Sequence, residues 1–97
     1  MRVQSLSIFE SMLEQLAEDS WQRKDFRETL EYAVRLTDSD RSNEVATRLA
    51  MRAFSSMGRK AKALALYEAL RRWLRLHDDV EPSPATRLLA KEIEESE

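Results

Sequence analysis

The stretch 58–74, GRKAKALALYEALRRWL, decides how this chain is read. It opens on Gly58, the only glycine in the sequence, and contains no proline. Ala63, Leu64, Tyr67 and Leu70 then recur three and four residues apart, which places them along one side of a helix. That helix is expected from about Arg59 or Lys60 to Leu76. Glycine enters the left-handed backbone region without a steric penalty, so Gly58 reads as the residue that ends a preceding helix. The preceding helix is expected from about Glu44 to Met57. Two helices joined by so short a corner must lie antiparallel, as a pair.

The same arrangement occurs once more upstream. Lys24 stands 34 residues before Gly58, and in that register Thr29 matches Ala63, Leu30 matches Leu64, Ala33 matches Tyr67 and Leu36 matches Leu70. A period of about 34 is the tetratricopeptide period. In such repeats a small residue at the Ala63 position lets the two helices approach, and Tyr67 fills the space to the next pair. The upstream copy is degenerate. Its second helix is expected to open at Asp25, with Glu28 at capping-box spacing, and to bury Leu30, Ala33, Val34 and Leu36. The run Asp38-Ser39-Asp40-Arg41-Ser42-Asn43 is rich in side-chain acceptors and reads as a turn with an N-cap at its end.

At the amino end, Ser7 and Glu10 have capping-box spacing, and Ile8, Met12, Leu13, Leu16 and Trp21 follow with helical periodicity. At the carboxyl end, Ser83 is the expected N-cap and Pro84 the first residue of a last helix, whose stripe is Ala85, Leu88, Leu89 and Ile93. The expectation is one all-α domain over 1–97. It has about five helices in tetratricopeptide-like antiparallel pairs, stacked as a right-handed superhelix, with the last helix shielding the open end.

Composition narrows the function classes. The chain has 97 residues and no cysteine, which removes disulfides and thiolate metal sites. One glycine cannot build a phosphate-binding loop. No serine can be paired with a base and an orienting acid without inventing geometry, so neither catalysis nor a cofactor is expected. No metal site is expected either: Asp78, Asp79 and Glu81 beside the single histidine, His77, lack the spacing and glycine of a calcium loop. His77 reads as a helix-end or surface residue. No apolar run reaches the ~20 residues of a membrane span, and the first residues do not form a signal-peptide core. A cytoplasmic protein is the expectation.

Charge is unevenly distributed. Residues 1–44 carry a net −4, residues 45–76 a net +7 and residues 77–97 a net −5. The middle segment has eight basic residues and the single acid Glu68.

The stretch from about Asp25 to Ile93 resembles the bacterial transcriptional activator domain of antibiotic-pathway regulators. The resemblance rests on Leu30 to Leu36 followed by Asp40 and Glu44, on the run from Arg48 to Phe54, and on Met57-Gly58-Arg59. It continues through Ala63 to Tyr67 and Arg71-Arg72-Trp73-Leu74. Its most specific part is Val80-Glu81-Pro82-Ser83-Pro84-Ala85-Thr86. Two positions depart from the family pattern: Asp79 stands where a glycine is usual, and Asp40-Arg41 where Asp-Pro is frequent. The resemblance implies a regulatory domain that usually follows a winged-helix DNA-binding domain and takes part in dimerisation, interdomain packing and activation. No winged helix is present here, since no segment alternates as a strand does.

Several residues are candidate contacts. Val45, Arg48, Arg52 and Ser55 share one side of the third helix, the side that lines the groove of a tetratricopeptide stack. Arg48 and Arg52 together could clamp a partner's carboxylates through charge-assisted bonds. The plainer reading is a solvated face, or ion pairs with Glu14 and Glu18 of the first helix. Arg59, Lys60, Lys62, Arg71, Arg72 and Arg75 form a basic set. Direct nucleic-acid binding is not expected of it, because acidic segments flank it and no base-reading motif accompanies it. Trp21, Phe26, Phe54 and Tyr67 read as core fillers, and Trp73, beside Arg72, as a possible interface aromatic. The partner is then a protein: the chain's own flanking domain, a second copy in a homodimer, or the transcription machinery. The alternative is a generic adaptor that binds a peptide outside transcription.

Overall fold

Five α-helices make up the fold: α1 (Gln4–Gln22), α2 (Phe26–Ser39), α3 (Glu44–Ser56), α4 (Lys60–His77) and α5 (Pro84–Glu95). The computed structural model describes residues 4–96, with side chains from Ile8 onward. There is no strand among the described residues.

Most helix ends are set where the sequence places its capping groups. Asp25 Oδ1 accepts the Glu28 backbone N–H at 3.1 Å and opens α2. Asn43 Oδ1 accepts the Ala46 N–H at 3.0 Å and opens α3. Each bond satisfies a first-turn donor that the helix itself cannot pair. Pro84 takes the first position of α5, where its missing N–H is no loss.

The start of α1 differs from expectation. The helix begins by Gln4, so Ser7 lies inside it rather than capping it. A serine three residues before a glutamate caps a helix only where the chain before it stops being helical. Nothing in Gln4-Ser5-Leu6 stops it.

Two of the four inter-helix corners, α1–α2 and α3–α4, repeat one backbone geometry. Gly58 has φ +76° and Lys24 has φ +64°. Gly58 N–H donates to Ser55 O and Arg59 N–H to Phe54 O; 34 residues earlier, Lys24 N–H donates to Trp21 O and Asp25 N–H to Ser20 O. Both corners are Schellman motifs, in which a left-handed residue lets the chain reverse while the last carbonyls stay paired. The repeat is therefore written in the backbone even where the residue has changed from glycine to lysine. Asp79, at the position where the family pattern has glycine, also has a positive φ of 55°. Aspartate tolerates that region better than most side chains.

Each helix packs on the next in antiparallel fashion, and α3 also touches both α1 and α5. The backbones of α2 and α4 do not approach each other closely. The result is a slab of 45 × 34 × 18 Å, whose thin dimension is about two helix diameters. Small residues make the close approach possible: Ala17, Ala33, Ala46, Ala50, Ala53 and Ala63 are all buried. Leu13 and Leu36 pack with Ala46 at one end of α3, and Met51 packs with Ala63, Leu89, Ala90 and Ile93 at the other. Buried Ser20, Thr29, Thr47 and Thr86 all have hydrogen-bond partners.

Apolar periodicity overstates how much the terminal helices bury. In α1, Leu13 and Ala17 are in the core, but Ile8, Met12 and Leu16 are exposed, together with Phe9. In α5, Leu89, Ala90 and Ile93 are buried while Ala85 and Leu88 face solvent. Val34 of α2 is also exposed. A helix at the end of a stack has neighbours on one side only, so a wide apolar arc is half covered.

Candidate interaction surfaces

The segment 80–86 is held by two helices, α4 and α3. Glu81 is gripped by α4: Arg75 Nη2 lies 2.7 Å from one carboxylate oxygen and Arg71 Nε 3.7 Å from the other. The hydrogen bond from Arg75, assisted by the charges of both arginines, holds the Glu81 carboxyl below the ordinary glutamate range. Pro82 is completely buried. Beyond it, Ser83 and Thr86 turn onto Glu44, in the first turn of α3.

Glu44 is the hub of this attachment. Its carboxylate accepts the Ser83 N–H at 3.0 Å, the Ser83 hydroxyl at 2.8 Å and the Thr86 hydroxyl at 2.6 Å. Arg48 completes the network by donating to the Thr86 oxygen at 2.8 Å, with its guanidinium 3.9 Å from Glu44. Partial burial pushes the Glu44 carboxyl up, but the bonds from Thr86 and Ser83 and the charge of Arg48 outweigh it. The net result is a carboxyl below its ordinary value.

Ser83 stands at the N-cap of α5 but does not cap it with its own side chain. In a capping box the third helical residue is a glutamate that reaches back to the N-cap N–H. Here that residue is Thr86, and the carboxylate is supplied by Glu44 from another helix. A negative charge at this point also complements the α5 dipole.

A smaller carboxylate cluster joins α1 to α2. Glu28 Oε1 lies 2.8 Å from Arg23 Nη2 and 2.8 Å from the buried Ser20 hydroxyl. The bonds from Arg23 and Ser20 lower its pKa. In the same region Trp21 and Phe26 pack at a centroid distance of 5.4 Å.

The expected groove residues divide. Val45 and Arg52 are exposed on one side of α3, and Ser55 beside them is half-buried. Arg48 is turned instead into the Glu44–Thr86 network. Glu14 and Glu18 are not its partners: Glu14 accepts from the Asn43 side chain at 3.5 Å. The basic set divides too. Arg71 is tied to Glu68 and Glu81, Arg75 to Glu81, and Lys60 Nζ donates to the Ser96 carbonyl at 2.8 Å. Arg59, Lys62 and Arg72 are exposed, and no ion pair engages them among the described residues. Trp73 is half-buried and stacks on the exposed His77 with ring centroids 4.2 Å apart.

What sequence reading missed is the exposed row on α1. Ile8, Phe9, Met12 and Leu16 are 62, 51, 59 and 42% exposed. Single exposed leucines are ordinary on protein surfaces, whereas four large apolar side chains grouped on one helix stand out. The signal available in the sequence was the width of the apolar arc, too broad for a helix with neighbours on one side. The anchoring role of Glu44 was missed as well: the residue enters the sequence reading only as part of the family pattern and as the start of a helix, and the one local trace of its role is the Glu44–Arg48 spacing of four.

No helix of the described chain is long and apolar enough to cross a membrane. No curated protein and no solved structure matches the sequence. The family model of the bacterial transcriptional activator domain matches residues 3–94, which adds α1 to the span carrying the resemblance. With nearly its whole length matched, and its Glu81-Pro82-Ser83-Pro84 segment built into the fold, the chain belongs to the bacterial transcriptional activator domain family and is a regulatory domain of that type.

Proposed function

We propose that this domain regulates transcription through protein–protein contacts made by its exposed helix faces, with no chemistry of its own. The observation that carries this reading is the bare apolar row of α1. Burying such side chains is worth about 1.5–3 kcal/mol each when a partner covers them fully, so the row offers a contact that the isolated chain leaves unused. Val45, Arg52 and Ser55 on α3 add a second, more polar contact face, and Trp73 with Arg72 a third on α4. Arg48 serves it indirectly, by holding α5 in place. The partner is a protein: the chain's own flanking domain, a second copy, or the transcription machinery.

A reporter assay tests this. Fused to an unrelated DNA-binding domain with its site upstream of a bacterial promoter, the chain should change transcription from that promoter. Ile8→Asp combined with Met12→Asp should abolish the change without reducing helix content. If the fusion leaves transcription unaltered, or the double variant acts like the parent, the reading fails.

A further inference from the structure

A cleft opens between α2 and α4, whose backbones stay apart as both helices pack on α3. Thr47 and Ala50 of α3 form its floor, with Val34 of α2 and Leu66 of α4 as apolar walls. The cavity measures about 250 Å³. That is below the ~300–1,000 Å³ of sites that take drug-sized ligands. Ala50 and Ala69 keep it open, since a larger residue at either position would occupy the space.

The rim of the cleft carries two opposite charges. Asp38 lies in the last turn of α2 and Arg41 in the turn that follows, and both line the cavity. Both are exposed, and no ion pair joins them to each other or to another group among the described residues. Asp38 stands where its own helix disfavours it. The last carbonyls of a helix carry partial negative charge, and α2 has no basic residue in its last turn. The hydroxyls of Thr37 and Thr47 spend their hydrogens on the Val34 and Asn43 carbonyls, each at 3.0 Å. What either can still offer a ligand is an acceptor lone pair. The lining thus asks for a cationic donor at Asp38, an anionic acceptor at Arg41 and a small apolar body beside them.

We infer that the α2–α4 cleft is an effector site for a free α-amino acid with an aliphatic side chain. Its ammonium group sits against Asp38, its carboxylate accepts from Arg41, and its side chain lies over Ala50 between Val34 and Leu66. A purely apolar molecule would leave both rim charges unused. An internal leucine of a protein segment would bring the aliphatic group without the two charged ends. The bound molecule touches both helix pairs at once, so it braces α2 against α4 and stabilises the folded stack. The cleft shares no residue with the exposed row of α1, so this inference stands or falls apart from the contacts proposed above.

The test titrates L-leucine into the whole chain, read by calorimetry and by thermal unfolding. One molecule per chain is expected to bind with a Kd of about 1 mM or tighter. At about ten times Kd, the melting temperature should rise by about 4 °C or more. N-acetyl-leucine lacks the ammonium and leucinamide lacks the carboxylate, and each should bind about fivefold or more weakly than leucine. Asp38→Asn and Arg41→Gln alter exposed side chains, and circular dichroism should find both as helical as the parent. Each should weaken leucine to a similar extent. Asp38→Asn should leave N-acetyl-leucine unaffected, and Arg41→Gln should leave leucinamide unaffected, because the partner group is already missing. Ala69→Trp, which fills the cleft, should abolish binding. No binding of leucine at about ten times the stated Kd overturns the inference. So does leucine affinity that survives both rim substitutions. N-acetyl-leucinamide, with neither charge, binding as tightly as leucine overturns it too, and would make the cleft a seat for a leucine of a protein partner.

Discussion

At one end of the stack, α5 puts Leu89, Ala90 and Ile93 into the core and is bolted to α3 through Ser83, Thr86 and Glu44. At the other, α1 buries Leu13 and Ala17 but leaves Ile8, Phe9, Met12 and Leu16 in solvent. Both helices flank α3, and both have an apolar arc wider than one neighbour can cover. Polar contacts fix both helices, α1 through Ser20 and Glu28 and α5 through Thr86 and Glu44; the difference is that the surface of α5 is interrupted by Pro84, Arg87 and Lys91. Helix α1 has only Leu88's counterpart problem multiplied: four large apolar residues and no cation. One end closes the fold, and the other presents it.

The sharpest way to break the comparison is to remove core from the closed end. Ile93→Ala should destabilise the domain by about 2–5 kcal/mol, the range for deleting a buried aliphatic side chain. Urea unfolding measures this, and a loss under about 1 kcal/mol would mean that α5 is not part of the cooperative unit.

A smaller effect is expected from the lock. Glu44→Gln keeps the shape but loses the charge, and should cost about 1–2 kcal/mol at neutral pH. The sign of the pH effect follows from the folded-state shift. Glu44 has a depressed pKa in the fold, so its stabilisation is complete above the ordinary glutamate value of about 4.3 and lost as pH falls through the folded value. Glu28 and Glu81 shift the same way. Acid unfolding of the parent should thus be steeper than that of Glu44→Gln, and parallel acid limbs would show that Glu44 contributes nothing through its charge.

The smallest effect on stability belongs to the open end. Met12→Ser should change the unfolding free energy by no more than about 0.5 kcal/mol, as for surface positions generally. A loss above about 1 kcal/mol would place Met12 in the core and erase the contrast between the two ends.

Local signals in the sequence were reliable where a single backbone group decides the outcome. Asp25, Asn43, Gly58 and Pro84 each mark a helix boundary because each solves a pairing or steric problem within a few residues. Ser7 failed as a marker because the same letters also fit inside a helix. Burial was harder to read. Periodicity identified the apolar side of α1 and α5, but which half of that side is covered depends on the neighbours, and no local pattern encodes them. The Glu44 network joins residues about forty positions apart, so only its two halves are visible in the chain. The Glu81-Pro82-Ser83-Pro84 segment and Glu44 both belong to the family resemblance, but nothing local in the sequence says that the one binds the other.

That network also has a consequence in time. The other helices pack mainly on their immediate neighbours in the chain, and such local contacts form quickly. The bonds from Ser83 and Thr86 to Glu44 close loops of 39 and 42 residues, so they are expected to form after the rate-limiting step. Interactions absent from the transition state govern escape from the native state rather than entry into it. Stopped-flow measurements on Glu44→Gln should then find faster unfolding with nearly unchanged refolding, and a slower refolding limb would instead place the lock in the folding nucleus. By this account a single carboxylate sets how long each folded molecule lasts, leaving how fast it forms to the helix pairs.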